Sequence, residues 1–292
     1  MKKNIFVVSA FTKNGTGGNL AGVGLDSCNL SESDRLFIAR ELGFSETAFI
    51  IPSHNVHYEV RYYTPESEVD LCGHATIATF SCLAQKISLE PGTYSIKTRA
   101  GILQVLIEED KKVYLQQTEP RYLDIVDSEE IIDSLMISKD SLMSELPIQI
   151  VSTGLKDIMI PIRNYKDLQS IQPDFEKIKQ VSRKYDTVGY HLFTLEPVHQ
   201  EAIAHCRNFA PLYGIKEESA TGTSNAALAA YLFQYKKIKP NERNLKFEQG
   251  YGMGEPSEIL VRLDTNKDSI TNIMVGGYAS IIEEREVDLH KS

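Results

Sequence analysis

Residues Arg61 to Ala78 read R-Y-Y-T-P-E-S-E-V-D-L-C-G-H-A-T-I-A. Arg61 to Thr64 is the end of a strand of aromatic and β-branched residues. Pro65 to Leu71 is an acidic turn that Asp70 closes. From Gly73 the run A-T-I-A-T-F-S-C-L-A has the composition of a buried helix. Cys72, Gly73 and His74 therefore stand where a strand has turned into a helix N-terminus. The unpaired N–H groups there carry partial positive charge and suit a carboxylate or a developing oxyanion.

The pattern returns at Arg207 to Ala227, R-N-F-A-P-L-Y-G-I-K-E-E-S-A-T-G-T-S-N-A-A. Arg61, Tyr63 and Pro65 are echoed by Arg207, Phe209 and Pro211. An acidic turn, a glycine (Gly73, Gly222), a polar residue (His74, Thr223) and an Ala-rich helix follow each time. The arginines lie 207 − 61 = 146 residues apart, half of 292. A repeat of that length predicts two similar domains, 1–120 and 121–292, with the final strand free to cross back to the first. Two helix starts facing one another across a cleft would then share one ligand.

The chain is long enough for two cores. Its net charge of −9 argues against a nucleic-acid surface, which needs clustered Lys and Arg. No apolar run is long enough for a membrane helix. The N-terminal M-K-K-N-I-F-V-V-S-A-F reads as a first strand, not a signal peptide. Cys28, Cys72, Cys82 and Cys206 show no paired spacing and read as reduced, cytoplasmic thiols.

Along the chain, strands are expected at 3–11 and 20–25. Ser31 caps a helix that Gly43 stops. Strands at 44–51 and 56–63 lead to the Gly73 helix, and a meander runs over 94–117. The polar segment 119–147 carries a short helix near 128–137. Strands at 148–153 and 156–162, a helix at 173–185 and strands at 188–195 and 201–209 lead to the Gly222 helix, expected to reach 237. Strands near 244–248, 257–264 and 272–282 follow, and Glu283–Ser292 reads as a frayed acidic tail. Each long apolar helix must be enclosed by strands. The fold expected is α+β, two pseudo-symmetric, mostly antiparallel curved sheets or barrels, each around a central helix.

Glu46 lies among Phe44, Phe49 and Ile50, a setting that suits a general acid/base, though local sequence alone favours a solvated turn carboxylate. His74 is either a proton shuttle and anion donor or a solvent-facing first-turn residue. Asp70 and Glu218 occupy matching turns. Either orients His74 or binds a cation, or both merely favour the helix dipole. Thr223 and Ser224 are ligand hydroxyls or simple caps. Cys72 is a candidate thiolate base. Its counterpart in the second repeat is Thr221, which speaks against a two-thiol racemase. His54/His57 and Cys72/His74 do not make a four-ligand metal pattern. Gly250-Tyr251-Gly252-Met253-Gly254 opens no helix and lacks a P-loop lysine, so it reads as a loop.

The residues Gly18 to Val23, Ser45-Glu46-Thr47-Ala48-Phe49, Asp70-Leu71-Cys72-Gly73-His74-Ala75-Thr76, Phe209-Ala210-Pro211, Glu217 to Thr223, Glu248-Gln249-Gly250 and Gly254 to Ser257 together resemble the PhzF (phenazine-biosynthesis) family, relatives of diaminopimelate epimerase. The resemblance spans nearly the whole chain. It implies a diaminopimelate-epimerase-like fold, a homodimer, no cofactor, and a small carboxylate-bearing substrate. It implies Glu46 as the proton carrier, with His74 and Glu218 assisting, and the amides near Gly73 and Gly222 with the Thr223 hydroxyl binding the carboxylate. Asp70 is expected to orient or relay beside them, and Asn19 to contact substrate. The sequence departs from the family pattern at Glu218, where Asp is common, at Thr223, where Ser is usual, and at Glu255, where Arg is common. The reading is a PhzF-like isomerase. A two-base amino-acid epimerase and a non-catalytic anion-binding protein stand as alternatives.

Overall fold

The structure, a computed structural model, describes residues 2–53, 55–239 and 242–289. The chain forms two compact units, one of residues 1–116 with 276–292 and one of residues 117–275.

In the first unit, β1 (Lys2–Ala10) pairs antiparallel with β2 (Asn19–Gly24). Helix α1 (Glu32–Leu42) crosses over to β3 (Thr47–Pro52), which lies parallel to β2. Strand β4 (Tyr58–Tyr63) returns antiparallel and folds back as the two-residue β5 (Glu68–Val69). Helix α2 (Gly73–Lys86) then leads to β6 (Gly92–Thr98), parallel to β4, and to the meander strands β7 (Gly101–Ile107) and β8 (Val113–Gln116). The chain's last strand, Ala279–Asp288, pairs with β1 from Lys2 opposite Asp288 to Ala10 opposite Ala279.

The second unit begins with β9 (Arg121–Ile125), α3 (Ser128–Leu135), β10 (Gln149–Ser152) and β11 (Lys156–Pro161). Helices α4 (Tyr165–Ser170) and α5 (Phe175–Lys184) cross to β12 (Gly189–Thr194). Next come β13 (Ala204–Ala210), β14 (Ile215–Glu218), α6 (Gly222–Gln234), β15 (Asn244–Gln249), β16 (Ser257–Asn266) and β17 (Ser269–Gly277). The last strand is thus β18.

The pairings of β10 to β16 repeat those of β1, β2, β3, β4, β5, β6 and β7 in order. β10–β11 is antiparallel, β11–β12 parallel, β12–β13 and β13–β14 antiparallel, β13–β15 parallel and β15–β16 antiparallel. The two units are therefore pseudo-symmetric α+β bodies.

Each unit encloses one apolar helix. Every residue of α2 from His74 to Ala84 is buried, and it packs on β1, β2, β3, β7, β8 and β18. In α6, Gly222 and Ser224 to Phe233 are buried against β10, β11 and β16. Removing a ring such as Phe80, fully buried in α2, costs about 3–5 kcal/mol in a core of this kind. Outer helices cover the other face of each sheet. Ile38, Ala39 and Leu42 of α1 pack with Ile5, Phe49 and Tyr63. Leu168 and Ile178 pack with Ile160, Leu192 and Phe209. Ser31 caps α1 with a capping box through Asp34, and Gly43 ends it at φ 70°.

Five local expectations change. Segment 119–147 contains a strand, β9, besides its helix. Helix α4 precedes the one expected from 173, and α6 stops at Gln234 instead of reaching 237. The strand expected at 272–282 is two strands that break at Tyr278. The acidic tail is not frayed through its length. Glu283 to Asp288 are paired with Val7 to Lys2, with Glu283 to Glu286 exposed and Glu286 meeting Lys2 at 2.5 Å. His290 to Ser292 lie outside the described residues.

Candidate active site

At the start of α2 the chain converges from three directions. Strand β4 brings Tyr62, whose hydroxyl meets Thr76 Oγ1 at 2.7 Å. Thr76 donates its own proton to the Cys72 carbonyl at 2.7 Å, so Tyr62 is the donor to Thr76. Arg61 donates to Glu68 of the return strand at 2.9 Å, which holds the acidic turn to the strand it leaves. The link from α1 to β3 brings Ser45 and Glu46, and the Glu46 carbonyl accepts from the Gly22 N–H at 3.2 Å.

His74, 6% exposed, is the meeting point. Its Nε2 lies 3.4 Å from Glu46 Oε2 and 3.4 Å from Ser45 Oγ. Cys72 Sγ lies 3.4 Å from Nδ1 and 3.9 Å from Nε2. Glu46 Oε2 is buried and has no hydrogen-bond partner among the described residues. Its 3.4 Å approach to the imidazole is longer than the about 2.7–2.9 Å of a charge-assisted hydrogen bond. That oxygen can take a proton without breaking an existing bond.

The second unit builds its helix start differently. Gln249, fully buried on β15, donates to the Glu218 carbonyl at 2.7 Å and to Thr221 Oγ1 at 3.0 Å. It accepts from the Thr221 N–H at 3.3 Å and from Asn225 Nδ2 at 2.8 Å. Thr221 Oγ1 donates in turn to Glu218 Oε2 at 2.9 Å. Arg207 grips Glu217 with two bonds, 2.8 and 2.9 Å, as Arg61 grips Glu68. Thr223 is half-buried, and its carbonyl accepts from Thr153 at 3.2 Å.

The two central helices share one property. Helices α1, α3, α4 and α5 are capped by the side chains of Ser31, Asp127, Asn164 and Asp174, with acidic residues in their first turns. Neither Cys72 at α2 nor Thr221 at α6 makes a side-chain cap bond, and neither first turn holds an acid. Neither helix start is thus closed by a side chain of its own cap residue or by a first-turn acid.

The structure thus brings Glu46, His74, Cys72 and Gly73 together, and separately Glu218, Gly222 and Thr223. Asp70 does not share the buried cluster. Its side chain is 68% exposed and pairs with Arg99 at 3.2 Å. Asn19 opens β2 opposite Ala10 and is half-buried. Ser224 points inward, donating to Asp157 Oδ2 at 2.7 Å, so it is neither cap nor surface hydroxyl. His57 is taken up by Ser95, and His54 lies outside the described residues. Gly250 to Gly254 frame a short turn between β15 and β16.

Sequence reasoning did not single out Ser45, Gln249 or Asp157. Gln249 stood inside the Glu248-Gln249-Gly250 motif, a usable signal. Asp157 falls on the strand expected at 156–162, with no local signal that its carboxyl is buried.

A family model for phenazine biosynthesis-like proteins matches residues 8–285. The chain belongs to the phenazine biosynthesis-like family. Among relatives in this family, an uncharacterized isomerase of Clostridium acetobutylicum is 34% identical over 99% of each chain. The uncharacterized isomerase YddE of Escherichia coli K12 is 33% identical over 98% of each. A crystal structure of a PhzF-family phenazine biosynthesis protein from Bacillus anthracis, 30% identical, superposes with a TM-score of 0.91 over 99% of this chain and 100% of that one. A hydroxyproline epimerase from Agrobacterium vitis, 10% identical with a TM-score of 0.65, shares the fold over 99% of this chain and 93% of its own. On these relationships this PhzF-like protein is an enzyme of the isomerase class. No helix among its described residues is long and apolar enough to cross a membrane.

Proposed function

We propose that the protein is a cofactor-independent isomerase that moves a proton within a small carboxylate-bearing substrate, with Glu46 as the general acid/base. The observation that carries this is Glu46 Oε2 itself: buried, without a hydrogen-bond partner, and 3.4 Å from His74 Nε2. A carboxylate in that setting accepts a proton from substrate and returns it to another atom on the same face. His74 then stabilises the charge that moves. The N–H groups that begin at Gly73 are an anion site beside Glu46, and those that begin at Gly222, with the Thr223 hydroxyl, are the equivalent anion site of the second unit. Glu218, oriented by Thr221, assists. Asn19 contributes a substrate contact, and Asp70 acts through Arg99 on the turn that carries His74. The enzyme works as a homodimer in the cytoplasm.

A two-base epimerase is the weaker reading. The position matching Cys72 is Thr221, and its hydroxyl already donates to Glu218.

The test is deuterium uptake from heavy water into small carboxylates that first raise the melting temperature of the protein. One-site exchange that Glu46→Gln suppresses while the ligand still shifts the melting temperature supports the assignment. Full exchange in Glu46→Gln overturns it.

A further inference from the structure

Glu46, His74 and Cys72 offer a carboxylate oxygen, an imidazole nitrogen and a thiol sulfur that all lie within 4.8 Å of one another. Chain geometry makes this convergence. His74 is the second residue of α2, Cys72 is the cap residue just before that helix, and Glu46 enters from the start of β3. From Nε2, the carboxylate oxygen is 3.4 Å away and the sulfur 3.9 Å. Zinc bonds to O, N and S of about 2.0–2.3 Å set tetrahedral donor-to-donor edges of roughly 3.3–3.6 Å. Two of the three edges therefore need only a few tenths of an ångström of adjustment at most. The cluster is also dry and tight, with Cys72 7% and His74 6% exposed.

Independently, Glu46 Oε2 is a buried polar atom that no donor among the described residues satisfies. An oxygen of that kind costs folding free energy unless something occupies its lone pair. We propose that this triad is a binding site for a thiophilic divalent cation of the zinc type, and that metal and proton compete for it. The ligand set is tridentate, S, N and O, with the fourth tetrahedral position left for water or a substrate oxygen. On binding, the Cys72 thiol releases its proton to solvent and the thiolate sulfur bonds the metal. His74 coordinates through Nε2 and keeps its proton on Nδ1. Once Glu46 Oε2 is a ligand, the cation draws electron density from the carboxylate and fixes it in place, so it is too weak a base for the substrate proton and the bound metal inhibits. Hard cations such as magnesium, which need oxygen ligands, are poorly matched to this set. The inhibitory half of the proposal rests on the function proposed above. The binding half does not.

The binding test uses cobalt(II) alone, as a spectroscopic substitute for zinc, on the full-length protein stripped with chelator and kept reduced. The expected result is one cobalt per chain, with tetrahedral d–d bands and a thiolate-to-cobalt charge-transfer band that added zinc displaces. Cys72→Ala removes the charge-transfer band and weakens binding by at least about 100-fold, while its melting curve reports that it folds. Glu46→Gln keeps the thiolate band and binds more weakly. Wild-type protein that takes up no cobalt overturns the proposal. So does a thiolate band that survives in Cys72→Ala, which would place the metal at another cysteine. In the exchange assay, micromolar zinc abolishes deuterium uptake and chelator restores it. Zinc that binds but leaves exchange intact overturns the competition. Cobalt binding needs no substrate, so its absence would leave the proton-transfer reading standing, and absent exchange would leave the metal site standing.

Discussion

The starts of α2 and α6 are built on one plan and filled with opposite chemistry. In both, the residue four places after the cap reaches back to the cap carbonyl: Thr76 to Cys72 and Asn225 to Thr221. In both, an arginine on the preceding strand grips a glutamate on the return strand. Strand register gives further matches. Ala48 lies opposite Tyr62, and His191 lies opposite Asn208, one residue after each arginine. Two residues earlier stand Glu46 and Gly189. A Cβ at Gly189 would lie 1.9 Å from the Phe209 carbonyl oxygen, so the second unit has no room for a side chain where the first carries its acid/base candidate.

The polarity inside is reversed as well. Around α2 the matching positions hold Ala48, Tyr62 and Ala75. Around α6 they hold His191, Asn208 and Ser224, which join Asp157 in a fully internal network. Burial pushes Asp157 up to about 7, helped by the charge of Glu218 and opposed by its bond from Ser224. Burial pushes His191 down to about 3, so it is neutral. The comparison teaches a division of labour: the first unit leaves Glu46 Oε2 unbonded beside a histidine at its helix start, while the second, which also buries an unbonded Asp157 Oδ1, ties its helix start down through Gln249.

The largest effect that would test this division is on proton exchange. Glu46→Gln is expected to lower the exchange rate by roughly 10²–10⁴, and Cys72→Ala far less. If Cys72→Ala abolishes exchange and Glu46→Gln keeps it, the thiol is the base and the two helix starts are more alike than proposed.

Gln249→Ala should come next, because it strands the Thr221 N–H and weakens the hold on the Glu218 carbonyl in a buried site. A loss of about 3 kcal/mol in denaturant unfolding is expected. A loss below about 1 kcal/mol would mean that the second helix start is not held by that side chain.

The third test sets two buried carboxyls of the second unit against each other. The unfolded chain releases the Asp157 proton near 3.8 and the folded chain near 7. Between these the folded state holds the extra proton, so this group's contribution falls as pH rises and its cost is complete above 7. Asp157→Asn should therefore gain stability relative to wild type from pH 4 to 8, on the order of a few kcal/mol. Glu248 runs the other way. Burial alone would raise it, but bonds from His205, His199 and the Val198 N–H outweigh that and hold it at about 2 against 4.5 unfolded. Its contribution is present above 4.5 and lost as pH falls towards 2, so the deficit of Glu248→Gln should shrink over that range. Thermal melts of both variants against pH check the two signs together.

The smallest effect expected is at Tyr62→Phe, which removes one neutral bond while Thr76 keeps its own bond to Cys72. About 1 kcal/mol of stability should be lost. A much larger loss would show that the first helix start depends on its hydroxyl chain as strongly as the second depends on Gln249.

The fold was legible because its two most informative stretches repeat, and because period, Gly43 and the Ser31 cap are local signals. The second half of β18 was not legible, since Glu283 to Glu286 sit exposed on a surface strand and carry the composition of a tail. Strand β9 is half exposed in the same way. At the site, Glu46 and His74 were nameable from motif and position. Their company with Cys72 depends on long-range strand pairing, as does Asp157's burial, and no local pattern encodes either.

The pairing of β1 with β18 has a consequence for synthesis. The second unit is one continuous stretch and can finish folding as soon as it leaves the ribosome. The first unit is begun earliest yet lacks a strand until the residues near Asp288 emerge, about ten seconds or more after β8 at about 5–20 residues per second. During that interval β1 is an open edge, able to pair with a neighbouring chain. Stalled chains that end at Gly277 and continue into an unstructured linker long enough to clear the exit tunnel should therefore carry a protease-resistant second unit and a first unit that is still cut.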